Sequence, residues 1–150
     1  MKINFIVLIL LFFKTINCNI LKLNDNEFVT SSCTDTCIKF WNIYDYSLIS
    51  TINNIEADWT LKTLCLLDDD ILCIGGKNSK GFYLVKISTH QIIKNIKGPK
   101  IIYSINECID RLFLCSILDD KDNNNLVKYK YDNINLIKVD EKIKAHSCNI

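Results

Sequence analysis

Proline and glycine are scarce, with one and four residues in a chain of 150. A chain this poor in both, 49% hydrophobic and 23% charged, is globular rather than disordered. Its length suits one core and is short for two ordinary domains. An excess of either charge is also missing. The formal net charge is +1, with Lys and Asp/Glu mixed throughout and neither a basic stripe nor an acidic tail. That balance excludes nucleic acid and an anionic membrane surface as expected partners.

Sustained helical periodicity is lacking, and so is any Gly-rich nucleotide fingerprint. Gly75-Gly76-Lys77 follows a strand pattern without the spacing of a phosphate loop and reads as a hairpin turn. No N-x-[ST] sequon occurs, which weighs against a glycosylated secreted protein. Cysteine is plentiful, at eight. The spacings Cys33 to Cys37, Cys65 to Cys73 and Cys108 to Cys115 are not those of zinc pairs, and most lie inside apolar patterns. They are expected to be reduced, buried thiols behaving as small hydrophobes; some disulfide is the alternative if the chain is secreted.

What is abundant is Ile, Asn and Lys. Apolar runs are short and bounded by Asn/Asp/Gly/Ser clusters, and β-branched side chains favour strands. Three segments align at a fixed offset of 44 residues: 35–49, 79–93 and 123–137. The matching columns are Trp41, Val85 and Tyr129; Leu48, Ile92 and Leu136; and Ile49, Ile93 and Ile137. A second strand precedes each, at 27–32, 71–76 and 112–117, and another precedes that, at 16–23, 61–67 and 101–108. The third copy reaches its next strand through a loop about three residues longer, 119–125. Asn24-Asp25-Asn26, Asp68-Asp69-Asp70 and Lys77-Asn78-Ser79-Lys80 are turn chemistry. Four strands in 44 residues is the size of one propeller blade.

Residues 28–51, FVTSSCTDTCIKFWNIYDYSLIST, are similar to the core of a WD repeat. Asp35 stands six residues before Trp41, where that family places a structural Asp, and Asn42 replaces the Asp of its Trp-Asp pair. The other copies have Val85-Lys86 and Tyr129-Lys130 there. Ala145-His146 resembles the family's Gly-His marker and is expected to open a fourth blade near 145. The resemblance implies an all-β fold: a propeller fragment of about three four-stranded antiparallel blades with a period of 44. The blades run over about 15–53, 60–97 and 100–140, following an apolar segment at 1–14. It implies structural positions of the family's buried network at Ser31, Asp35 and Trp41 of the first copy, which has no His before it, and at His146, which would open the next blade, so no copy holds a complete set. It also implies a non-catalytic scaffold for protein partners, with no cofactor and no metal. Trp59 and Tyr103, near blade connections, are candidate partner contacts or ordinary packing. An incomplete ring leaves open flanks, to be closed by further blades or another chain.

Met1-Lys2 and the apolar run 3–13 resemble a secretory signal, and 15–18 faintly resembles a lipoprotein processing site. The run is too short to span a bilayer as a helix. Cleavage at Cys18 would cut the first strand, so a cytoplasmic protein is expected. Export, or a lipid-anchored propeller with a ligand-binding or enzymatic role, stays open, as does a truncated fragment. His90 reads as an exposed turn residue, the Asp68–Asp70 trio as solvated, and His146-x-Cys148 as too few ligands for a metal.

Overall fold

A computed structural model describes residues 19–31, 37–53, 55, 60–77, 81–109, 111–119, 121, 123–132, 134–139 and 143–144. They form three antiparallel meanders in sequence order. The first comprises β1 (Asn19–Lys22), β2 (Glu27–Ser31), β3 (Ile38–Asn42) and β4 (Leu48–Ile52). The second comprises β5 (Thr60–Asp68), β6 (Ile71–Lys77), β7 (Gly81–Lys86) and β8 (Gln91–Lys97). The third comprises β9 (Ile101–Ile109), β10 (Leu112–Leu118), β11 (Asn124–Asp132) and β12 (Asn135–Lys138), and β13 (Ile143–Lys144) pairs further along β11. One bridge, Lys77 to Ile101, links the second and third sheets.

The repeat is visible in the register as well as in the sequence. Phe28 pairs with Trp41, Leu72 with Val85, and Phe113 with Tyr129. A bulge falls between Phe40 and Trp41 and recurs between Leu84 and Val85. The turns between third and fourth strands carry left-handed residues at Tyr46, His90 and Ile134, with φ of 60°, 53° and 63°. None is glycine, so each position costs about 1–2 kcal/mol of backbone strain that its surroundings must offset.

Two departures from the 44-residue frame appear, both in the third blade. Phe113 follows Leu72 by less than the period, and the difference is the longer loop expected after β10. The last hairpin departs in a way the columns did not anticipate. Asp132 pairs directly with Asn135, so Leu136 lies opposite Tyr131, whereas Leu48 and Ile92 lie opposite Trp41 and Val85. The tighter turn carries Leu136 into the core at 7% exposure, while Leu48 remains at 51%. This aligned column therefore does not describe equivalent positions.

The meanders stack face to face. In the middle blade β6 and β7 are buried on both faces up to their last residues, which explains their continuous apolar runs. Val29, Ile38 and Phe40 of the first blade pack on Leu72, Ile74, Tyr83 and Val85. The opposite face of the middle blade, with Cys65, Cys73, Phe82 and Leu84, packs on Phe113, Cys115, Val127 and Tyr129. At the first strands the Ile105 amide donates to Thr63 Oγ1 (3.2 Å), tying two blades together. β10 and β11 instead alternate one buried residue with one partly exposed residue, so the far face of the third blade has no sheet against it among the described residues.

Gly75 and Gly76 lie inside β6, not in a turn as the sequence suggested. The reason is packing: a Cβ on Gly75 would sit 2.8 Å from Ile102 Cγ2, so the absent side chain lets the third blade close on the second. Gly81, at φ 132°, would put a Cβ 1.9 Å from the Ile96 carbonyl oxygen and opens β7 in a backbone that other residues rarely adopt.

Candidate functional site

The polar side chains of the first blade organise its turns. Trp41 Nε1 donates to Thr30 Oγ1 (2.9 Å), and the indole stacks near Phe28 with ring centroids 6.2 Å apart. The hydroxyl on the tryptophan is therefore Thr30, not the expected Ser31. Alternation along β2 explains the difference: Thr30 shares a face with Trp41, and Ser31 points to the other face, where its buried Oγ has no partner among the described residues. Asp35, Trp59 and His146 lie outside the described residues, so the rest of the expected network is not placed.

Asn42 caps the following turn. Its Oδ1 accepts the Tyr44 amide (2.8 Å) and the Asp45 amide (3.4 Å), and Asp45 Oδ1 accepts both the amide and the hydroxyl of Ser47. The bonds from Ser47 hold the Asp45 carboxyl below its usual range. This doubly pinned turn presents Tyr44 at 72% exposure, the highest among the exposed large hydrophobic residues described. Tyr103, in the innermost strand of the third blade just past the blade connection, is 41% exposed.

His90 is not the exposed turn residue expected from the sequence. Its Nε2 donates to Glu27 Oε2 (3.0 Å) and its ring stacks on Phe40 with centroids 4.2 Å apart, so the second blade clasps the first. Sequence gave little warning, because the clasp depends on a left-handed backbone at a non-glycine residue. Asp70 is not merely solvated either; its carboxylate accepts the Ser88 amide (2.7 Å) and hydroxyl (3.0 Å). At the next blade junction burial raises the Tyr131 phenol, which hydrogen-bonds Asp68, and the Arg111 guanidinium lies 5.9 Å from its ring centre.

Asp119 was missed by sequence reasoning. It is 8% exposed and closes the long third-blade loop: Oδ1 accepts the amides of Lys121 and Asn123 at 2.9 Å, and Oδ2 accepts from Asn125 Nδ2 at 3.2 Å. Beside it lies a shallow cleft of about 190 Å³ between Pro99, Ile117, Val127, Tyr129 and Lys138. Burial pushes the Tyr129 phenol up to about 12, with Cys115 nearby adding to the effect.

The described cysteines Cys37, Cys65, Cys73, Cys108 and Cys115 are free thiols. Burial pushes Cys65 up to about 11 and Cys115 up to about 12, each helped by neighbouring thiols or acids, so both stay protonated at neutral pH. Among the described residues no group of three or more His, Cys, Asp or Glu could hold a metal ion, and no helix is long and apolar enough to cross a membrane.

This stacked-meander geometry recurs in solved structures. A chain of the mitotic checkpoint complex superposes with a TM-score of 0.65 at 16% identity, over 80% of this chain and 37% of that one. The β-propeller domain of Cps50 (Swd1) from Myceliophteria thermophila gives 0.62 at 14% identity, over 81% of this chain and 44% of its own. The chain forms blades of a β-propeller. The computationally designed Ika4 protein also matches, at 0.62 and 15% identity, over 81% of this chain and 71% of that one. The propeller thus spans less than half of the two natural chains it resembles. No protein-family model and no curated protein matches it.

Proposed function

We propose that this propeller is a non-catalytic protein-interaction scaffold of the WD-repeat type, with blades at about 15–53, 60–97 and 100–140. The carrying observation is Tyr44, a 72% exposed aromatic on a turn fixed by Asn42 and Asp45. An aromatic held in place gives contact area with little ordering cost, which is the profile of an interface anchor. The WD assignment rests on Trp41-Asn42, on the Trp41–Thr30 bond and on the 44-residue spacing of the turns. The polar groups described here bind neighbouring strands and blades, as a scaffold uses them. Tyr103 and Trp59 are the further contacts proposed from the sequence. Free, protonated thiols suit a reducing compartment, so the proposed location is the cytoplasm.

Proximity labelling in cells tests the reading. The wild-type chain should mark a reproducible set of protein neighbours, and Tyr44→Ala with Tyr103→Ala should lose part of that set at unchanged abundance. An unchanged set refutes these anchors, and the absence of any specific set refutes the scaffold. Sequencing the mature N-terminus tests the location: loss of the first 17–18 residues would mean export.

A further inference from the structure

The cleft at the seam of the second and third blades is lined by a buried phenol with nothing to bond. Tyr129 is 8% exposed, and its ring is fixed edge to face on Phe82 with centroids 5.0 Å apart. The repeat explains why its hydroxyl is left over. In the first blade Trp41 donates to Thr30, which stands two residues past Phe28, the cross-strand partner of Trp41. The same place in the third blade, two residues past Phe113, is Cys115, a buried thiol and a weak acceptor. Among the described residues the Tyr129 hydroxyl makes no hydrogen bond, and burial and the Cys115 thiol set its ionisation. The hydroxyl is not sealed from solvent, and the cleft is the open space beside it.

Lys138 stands directly opposite Tyr129 across β11 and β12, so both side chains leave the sheet on one face. It is exposed, has no ion-pair or hydrogen-bond partner for its ammonium among the described residues, and rims the same cleft. Ile117 and Val127 form an apolar floor, and the single proline of the chain, Pro99, forms a buried and rigid wall. Asp119 also lines the cleft, but its oxygens already accept from the Lys121 and Asn123 amides and from the Asn123 and Asn125 side chains. Its charge is thus answered by N–H donors.

We infer that this cleft binds a short aliphatic monocarboxylate, with the carboxylate on the Tyr129 hydroxyl and the Lys138 ammonium and the chain on Ile117, Val127 and Pro99. The phenol, pushed up to about 12, is protonated at neutral pH and donates, while the ammonium supplies the charge. Volume sets the length. A cavity of about 150 Å³ takes benzene, so the cleft of about 190 Å³ suits an acid of about six carbons. The site goes beyond the scaffold reading and does not depend on it.

Titration of the full chain with hexanoate, followed through the Ile and Val methyl and the aromatic-ring resonances, tests this. Saturable shifts should appear at Ile117, Val127 and Tyr129 and leave Phe40 and His90, at the other seam, unmoved. Hexan-1-ol keeps the chain and lacks the charge, so it should bind about fivefold or more weakly. Tyr129→Phe keeps the ring on Phe82 and should weaken hexanoate about tenfold. Lys138→Met keeps the apolar stem and should weaken it about threefold. Equal affinity for the acid and the alcohol overturns the site, and that comparison needs no variant. Absent or non-saturating shifts at the cleft overturn it too, as does unchanged affinity in a folded Tyr129→Phe. N-Acetylglutamate α-amide presents a carboxylate on the stem that a partner protein's side chain would carry. Weaker binding of this probe than of hexanoate supports the free acid; tighter binding overturns it in favour of an acidic segment of a partner.

Discussion

Replacing Gly75 by alanine should destabilise the chain through the junction of the second and third blades. The new Cβ would lie 2.8 Å from Ile102 Cγ2, 2.9 Å from its Cβ and 3.1 Å from its Cδ1, and Ile102 is completely buried. Overpacking of this kind costs about 1–3 kcal/mol. Alanine recovers about 0.5–1 kcal/mol of the backbone entropy that glycine loses in a strand, which leaves a net loss of about 0–2.5 kcal/mol. Ile102→Ala alone should cost about 2–5 kcal/mol by leaving a cavity. Together the two changes should cost at least ~1 kcal/mol less than their sum, because the added methyl takes space that the isoleucine vacates. Urea unfolding of the four variants measures the coupling. Strictly additive losses would refute the contact between blades.

Neighbouring hydroxyls should behave oppositely. Thr30→Val strands the Trp41 indole N–H and should cost about 1–2 kcal/mol, while Ser31→Ala removes a buried, unpartnered hydroxyl and should be neutral or mildly stabilising; thermal unfolding separates them. His90→Ala removes the Glu27 bond and the Phe40 stack and should cost about 1.5–3 kcal/mol, with faster hydrogen exchange in β2 and β3. Asp119→Ala should release the amides of Lys121 and Asn123 to rapid exchange while leaving β6 and β7 protected. The thiols give a pH dependence. Cys65 and Cys115 rise in the folded chain from 9.0 to about 11 and about 12, so their contribution is complete below pH 9. Above pH 9 the unfolded chain loses protons that the folded chain keeps, and stability should fall by up to ~1.4 kcal/mol per pH unit per thiol until the folded thiols ionise. Cys115→Ala should flatten that slope.

Blade identity was legible in the sequence because each strand is short and the turns between them are polar. The same spacing that aligned Trp41, Val85 and Tyr129 places Val85 and Tyr129 on the face toward the preceding blade, and Trp41 on the matching face of the first. What the sequence concealed depends on single-residue register and on backbone handedness. In the run Thr30-Ser31-Ser32 any hydroxyl could serve Trp41, and only the pairing of Phe28 with Trp41 selects Thr30. Gly75-Gly76-Lys77 looked like a turn because glycine usually marks one; here it marks a close approach by Ile102. His90 carries no local sign that its backbone is left-handed, so its reach to Glu27 emerges only when two blades are stacked. In the last hairpin, a tighter turn moved Leu136 from an outer column into the core, which a fixed period could not anticipate.

The meanders stack in chain order as propeller blades, and proton–proton cross-relaxation between aromatic rings reads that order. Cross-peaks are expected between Phe40 and His90 and between Phe82 and Tyr129, alongside the contact of Phe28 with Trp41 inside one blade. Finding the contact within the blade while both contacts between blades are missing would contradict that order.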